Sequence, residues 1–251
     1  MYPVTICIPV FNESRTIVEY LREIQEAFVN SSVHVIVVDD CSTDDTVRKI
    51  EEANFGDFVT VLRNSANRGH GPSVVSGLVR ALEIPVELVA TADGDGEVPA
   101  SELKKLLSEI ERTNDDLVEG QRVKQNEPSF RKIASWVAKV LVVILGGRVM
   151  RHVRDANTPA RIYRRSALLE ILNVLPPDAM TPNLITSMVS RRLNLRIGSV
   201  EIIRRNPKGG NTQGTTWEAR YKILPSRRFI RFCLFAALNL LRFRLHSLRR
   251  S

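Results

Sequence analysis

A chain of 251 residues with 43% hydrophobic and 25% charged residues can bury one large core, and its ordinary glycine and proline content excludes collagen-like and low-complexity chains. Net charge is +8, but residues 225–251 carry seven arginines and no acid, which leaves about +1 for the other 224 residues. A body so close to neutral argues against a nucleic-acid-binding face, whereas the basic tail suits an anionic membrane surface. Cys7, Cys41 and Cys233 lack metal-ligand spacing; Cys7 and Cys41 fall in or beside predicted strands and read as buried free thiols of a reducing compartment. The N-terminus enters a strand-like run without the basic and apolar regions of an export signal, so export is not expected.

In chain order, VTICIPV (4–10) is a β-rich run. SRTIVEYLREIQEAF (14–28) has helical spacing, with Ser14 as the expected N-cap. VHVIVVDD (33–40) is a continuous apolar run that ends in two aspartates, as a buried parallel strand does. STDDTVRKIEEA (42–53) reads as a helix with a capped, acidic first turn. A strand (58–64), a helix (71–84), a strand (86–93) and a helix (100–112) follow. Four β–α units in a row predict an α/β fold, with a mostly parallel central sheet and helices on both faces. Ligands of such sheets bind beyond the carboxyl ends of the strands, where Asp39, Asp40, Asn67 and Asp93 fall. The rhythm then changes: a strand at 116–122, a largely apolar helix at 129–150, a short strand and helix within 155–172, a late strand at 195–205 and an amphipathic tail helix from Ser226.

DGDGE (93–97) follows a strand and precedes a helix. Carboxylates this close raise one another's pKa unless a cation neutralises them, and a hard divalent ion with oxygen ligands fits. The plain alternative is a solvated acidic turn. No glutamate stands at the twelfth position of a calcium loop. In VVDDCSTDDT (37–46), capping by Ser42, Asp44 and Asp45 accounts for most of the stretch, although an aspartate at the strand end can bond a nucleobase or ribose. NRGHGPSVVSG (67–77) has Val74 where a dinucleotide fingerprint needs its third glycine, and no phosphate-loop Gly-Lys-Ser/Thr occurs.

Together these pieces resemble the family 2 glycosyltransferases, closely over residues 3–120 and more loosely over 120–214. IPVFNE (8–13), VVDDCSTDDT, NRGHGPSVVSGLVRA (67–81) and DGDGEVPASEL (93–103) stand in the family's order and spacing. The resemblance implies that Pro9, Phe11, Glu13 and Asp40 line the base and ribose. It implies that Asp93 and Asp95 are the Asp-x-Asp pair, with Glu97 as a further metal ligand where the polyprenyl-phosphate branch often has Gln. His70 stands where that branch commonly has Lys. EGQR (119–122), Arg131, Ser135 and DANTPARIYRR (155–165) resemble the dolichyl-phosphate mannosyltransferase branch, whose arginines hold a lipid phosphate. Arg122, Arg131 and Arg161 are the candidates, each weighed against a solvated surface arginine. TPAR keeps only the arginine of that branch's Ser-Gly-Phe-Arg. Many soluble members carry a Glu-Asp pair near residues 176–187; here only Asp178 is acidic. A phosphate acceptor is already an anionic nucleophile and needs no such base.

The expectation is therefore an inverting transferase dependent on Mg²⁺ or Mn²⁺, moving a hexose from a GDP- or UDP-sugar to a polyprenyl phosphate. Asp95, Arg122, Arg131 and Arg161 would carry the chemistry. Residues 1–214 would form the catalytic unit, with a nucleotide-sugar half (1–115) and an acceptor half (116–214). Residues 215–251 would attach it to the cytoplasmic face of a membrane. The alternatives are a saccharide acceptor with Asp178 as base, and a catalytically idle membrane partner of the same fold.

Overall fold

The computed structural model describes residues 2–123, 147, 150 and 153–205. Residues 129–146, 148 and 149 of the predicted helix at 129–150, the tail helix, Arg131 and Ser135 lie outside these residues. The elements are β1 (Tyr2–Val10), α1 (Ile17–Ala27), β2 (Val33–Asp39), α2 (Thr46–Glu52), a 3-10 turn at Gly56–Phe58, β3 (Val59–Arg63), α3 (His70–Leu82), β4 (Val86–Thr91) and α4 (Ala100–Thr113). They continue with β5 (Leu117–Arg122), β6 (Arg161–Arg164), α5 (Arg165–Leu172), α6 (Pro182–Arg192) and β7 (Ile197–Ile202). The strands form one sheet in the order β3-β2-β1-β4-β6-β5-β7. All neighbours pair in parallel except β6, which runs antiparallel to both β4 and β5.

The sheet has a core on each face because its central strands alternate apolar residues to both sides. On one face Val4, Ile6, Ile8, Val35 and Val37 pack against Ile17, Leu21 and Ile24 of α1 and Leu103, Leu106 and Ile110 of α4. On the other, Cys7, Ile36, Val38 and Val89 meet Val74 and Leu78 of α3, Leu168 and Ile171 of α5, and Ile185 and Met188 of α6. Each fully buried aliphatic side chain contributes roughly 1.5–3 kcal/mol. Cys7 is a buried free thiol, which burial pushes well above the ordinary thiol range, and Cys41 is a partly exposed one. Among the described residues no helix is long and apolar enough to cross a membrane.

Local departures from the sequence reading have local causes. Helix α1 starts at Ile17, not at a Ser14 cap, because the Ser14 N–H is held by Asp44 while the Glu13 carbonyl accepts from Thr16 and Ile17. Helix α2 starts at Thr46 rather than near Ser42. Residues 42–44 are instead drawn onto Asn12, whose side-chain oxygen accepts from the Thr43 and Asp44 N–H groups at 2.8 and 3.3 Å. Ser42 Oγ in return accepts from Asn12 N–H at 2.9 Å. Asn12 and Cys41 both take left-handed backbone angles to make this crossing, φ 58° and 62°.

Candidate active site

Strand β4 pairs with β1 as far as Cys7↔Thr91, and then turns away. Pro9 sits just beyond that point on the β4 side of β1, so its missing N–H costs no ladder bond. The space is filled by Gly94: a Cβ there would lie 2.9 Å from Pro9 O and 2.5 Å from Val10 Cγ1. The acidic turn is thus pressed onto the carboxyl end of β1. Gly94→Ala is expected to push it outward, costing about 1–3 kcal/mol by overpacking and weakening any ligand held by its neighbours. Urea denaturation and ligand titration of the variant check both effects.

The turn gathers carboxylates from three segments. Burial, then the charges of Asp93, Glu97 and Glu13, push the Asp95 carboxyl up to about 7, against one backbone hydrogen bond from Glu97 N–H. Burial also raises Glu13, with Asp44 and Asp93 adding to it and a 2.8 Å bond from Thr16 Oγ1 opposing. Asp93 goes the other way. Burial works against its ionisation, but His70 Nε2, 2.8 Å from Oδ1, outweighs it and holds Asp93 below the carboxylate range. His70 is about half exposed; partial desolvation opposes its charge, but Asp93, Asp95 and Asp40 together raise it.

Cations flank the acids. Arg122 grips Asp155 in a bidentate pair, Nε–Oδ2 2.5 Å and Nη2–Oδ1 2.7 Å, and also feels the fields of Asp93 and Glu97. Glu97 lies 3.3 Å from Arg204 Nη1. Among the described residues no three His, Cys, Asp or Glu side chains converge in a ready-made metal cage. The oxygen-only donor set of Asp93 and Asp95, crowded enough to hold one carboxyl near neutrality, nonetheless fits a hard cation that is also held by a ligand's phosphates.

Several expected residues take other positions. Pro9 is buried, while Phe11 is 44% exposed at the end of β1, with its flat ring available for stacking. Asp40 is buried, and both of its oxygens hold the loop before α3. Oδ1 accepts from Asn64 Nδ2 and Arg68 N–H, each at 2.9 Å, and Oδ2 from Gly69 N–H at 2.7 Å. These bonds outweigh the cost of burial and keep Asp40 below its usual pKa. Asp40 therefore shapes the rim of the site. The phosphate-holding role expected of Arg161 needs correction, because its side chain is wholly buried. The guanidinium donates to Glu119 Oε1 at 2.9 Å, Ser187 Oγ at 2.7 Å, and the carbonyls of Thr158 and Ala156 at 3.0 and 2.9 Å. No exposed face is left for a phosphate. Glu119 and Asp155 stand inside the motifs EGQR and DANTPARIYRR but carry no role in the sequence analysis, and Ser187, Arg204 and Arg205 carry none either. The one available signal was an acid in mid-strand at Glu119. Asp178 is exposed in the turn before α6. A groove of about 490 Å³ lies elsewhere, between β3 and α3, and none of the turn's carboxylates enters it.

An acidic turn at the carboxyl edge of a mostly parallel sheet, flanked by arginines, is the layout of an α/β enzyme for a phosphorylated ligand. The chain belongs to glycosyl transferase family 2, whose model matches residues 5–172, and it is a glycosyltransferase. It is 24% identical over 236 residues to a UDP-N-acetylglucosamine–dolichyl-phosphate N-acetylglucosaminyltransferase of Methanococcus voltae, covering 87% of this chain and 92% of that one. It is 26% identical over 202 residues to an undecaprenyl-phosphate 4-deoxy-4-formamido-L-arabinose transferase of Klebsiella pneumoniae, covering 79% of this chain but 60% of the relative. In fold it matches glucosyl-3-phosphoglycerate synthase of Mycobacterium tuberculosis, solved with Mn²⁺, UDP and glucosyl-3-phosphoglycerate, with a TM-score of 0.60 at 18% identity over 82% of this chain and 72% of that one.

Proposed function

We propose that this nucleotide-sugar transferase moves a hexose from a UDP- or GDP-sugar onto a polyprenyl phosphate, with inversion at the anomeric carbon. The observation that carries the reading is the acidic turn itself: Asp93, Asp95 and Glu97 pressed by Gly94 onto the carboxyl end of β1, with Glu13 and Arg122 close enough to share their field. Phe11 stacks on the base, and Asp40 and the loop it holds wall the ribose. Asp93 and Asp95, with Glu97 at the margin, hold Mg²⁺ or Mn²⁺, which when bound neutralises the leaving diphosphate. His70 fixes the orientation of Asp93. Arg122, held by Asp155, serves the phosphate side, with Arg131 as its expected companion. Arg161 is assigned to the frame, with Glu119 and Ser187.

The acceptor oxygen attacks C1 from the face opposite the diphosphate. A lipid phosphate carries its own negative charge and asks for no proton acceptor. The names of the dolichyl- and undecaprenyl-phosphate relatives support that acceptor class. Asp178→Asn is accordingly expected to leave turnover within about twofold of wild type, whereas an essential general base is worth about a hundredfold or more. Loss on that scale moves the acceptor to a saccharide hydroxyl. The direct test is transfer of labelled sugar from a UDP- or GDP-sugar into a mild-acid-labile lipid; label found only in water-soluble product contradicts the reading.

Residues 1–214 are read as the catalytic unit and 215–251 as the part that meets anionic lipid at the cytoplasmic face. Deleting 226–251 is expected to abolish co-sedimentation with phosphatidylserine vesicles at low salt, at about 1 kcal/mol per arginine near the surface. Unchanged co-sedimentation removes the tail from that role.

A further inference from the structure

Arg205 makes three hydrogen bonds around the acidic turn. Its N–H donates to Glu97 O at 3.0 Å and its Nε–H to Gly96 O at 2.7 Å. Its Nη2 donates to Glu23 Oε2 on α1 at 2.6 Å. The other oxygen of Glu23 accepts from Ala100 N–H, the first residue of α4, at 2.9 Å. The Arg205 side chain therefore ties the turn to α1, and Glu23 carries the tie on to α4.

These bonds do not serve the sheet. The β5–β7 ladder ends at Arg122↔Ile202, and residue 205 lies past it. Arg205 binds two successive carbonyls, those of residues 96 and 97, so it fixes two consecutive peptide planes. They are the planes that follow Gly96, which stands next after Asp95 and takes the left-handed angle φ 66°. Gly94 packs the inner side of the turn against β1, and Arg205 closes its outer side, 3.4 Å from where a Cβ on Gly96 would stand. Left to itself, a turn crowded with like charges opens outward.

We infer that Arg205 is a positioning residue for the donor: it holds the turn closed and so sets the angle at which Asp93 and Asp95 meet a nucleoside diphosphate and its cation. The inference rests on the function proposed above. Its chemistry calls for arginine, because a lysine ammonium is a point donor and does not span Gly96 O and Glu23 as the planar guanidinium does. Its effect belongs to the donor and not to the acceptor.

The test is calorimetric titration of the full chain with UDP and with GDP, each with and without Mn²⁺, for wild type, Arg205→Ala, Arg205→Lys and Glu23→Gln. One nucleotide is expected to bind wild type in a Mn²⁺-dependent way. Arg205→Ala should weaken that binding about tenfold or more, with incomplete rescue by Arg205→Lys and a smaller loss in Glu23→Gln. The KM for the donor should rise in the same order while the KM for the acceptor stays level. Wild-type binding that is absent, or indifferent to Mn²⁺, overturns both the proposed function and this inference. Mn²⁺-dependent wild-type binding that Arg205→Ala leaves unchanged overturns the inference alone. Should Arg205→Ala fail to fold by circular dichroism, Glu23→Gln decides, and unchanged binding there overturns it.

Discussion

Asp95→Asn is expected to lower turnover by about a hundred- to a thousandfold while leaving the fold intact or slightly more stable. The two halves of this result have one cause. Burial and the neighbouring acids push the Asp95 carboxyl up to about 7 from an ordinary value of 3.8. A carboxyl raised in the folded state favours folding fully only below its unfolded pKa, and that contribution is lost as pH climbs through the folded value. Without metal, the wild-type protein should therefore lose stability between about pH 4 and pH 7 through this group, and Asp95→Asn should not. Mn²⁺ should restore the loss in wild type, since a ligand that binds only the native state stabilises it by mass action. Melting curves of both proteins at pH 5 and 7, with and without Mn²⁺, read the pattern. Equal pH dependence in the two proteins would contradict the placement of strain at Asp95.

Glu119→Gln is expected to cost about 3–5 kcal/mol of stability, because it strands a charged guanidinium with no acid beside it. Arg161 is fully buried, pairs with Glu119 at 2.9 Å, and keeps its charge at any pH a protein survives. Arg191 meets the other Glu119 oxygen at 2.8 Å from a partly exposed position, so it tolerates the loss better. Burial opposes ionisation of Glu119, but Arg161 and then Arg191 and Ser187 outweigh it and lower its pKa. A lowered acid contributes stability above its unfolded pKa and loses it as pH falls through the folded value, the reverse of Asp95. Arg161→Met should fall in the same range or slightly below, with Arg191 still facing the acid. Urea denaturation measures both variants. A loss below about 1 kcal/mol, the level of surface pairs, would remove Arg161 from the frame.

The first half of the fold was legible because four apolar strands alternate with helices whose apolar residues recur at helical spacing. Helix α6 was missed for a physical reason: Pro182 to Ser190 are buried on every side, so Asn183, Thr186, Ser187 and Ser190 break the apolar pattern without facing water. The antiparallel insertion of β6 between β4 and β5 is a matter of long-range pairing, and no local spacing in RIYR announces it. In the site, Asp93 and Asp95 were legible because the two carboxylates sit together in sequence. Their companions were not, because Asp155 meets Arg122 across 33 residues and Arg205 meets Gly96 across 109. Arg161 was legible as an arginine in a family motif, but its burial depends on Glu119 and Ser187, which lie 42 and 26 residues away.

One assay tests most directly whether the acidic turn serves transfer to a lipid phosphate. Release of nucleoside diphosphate from UDP- and GDP-sugars is measured with Mn²⁺, adding polyprenyl phosphate, a saccharide or no acceptor. Release from one donor that depends on both Mn²⁺ and the polyprenyl phosphate is expected. Release stimulated by the saccharide and indifferent to the lipid would contradict that role.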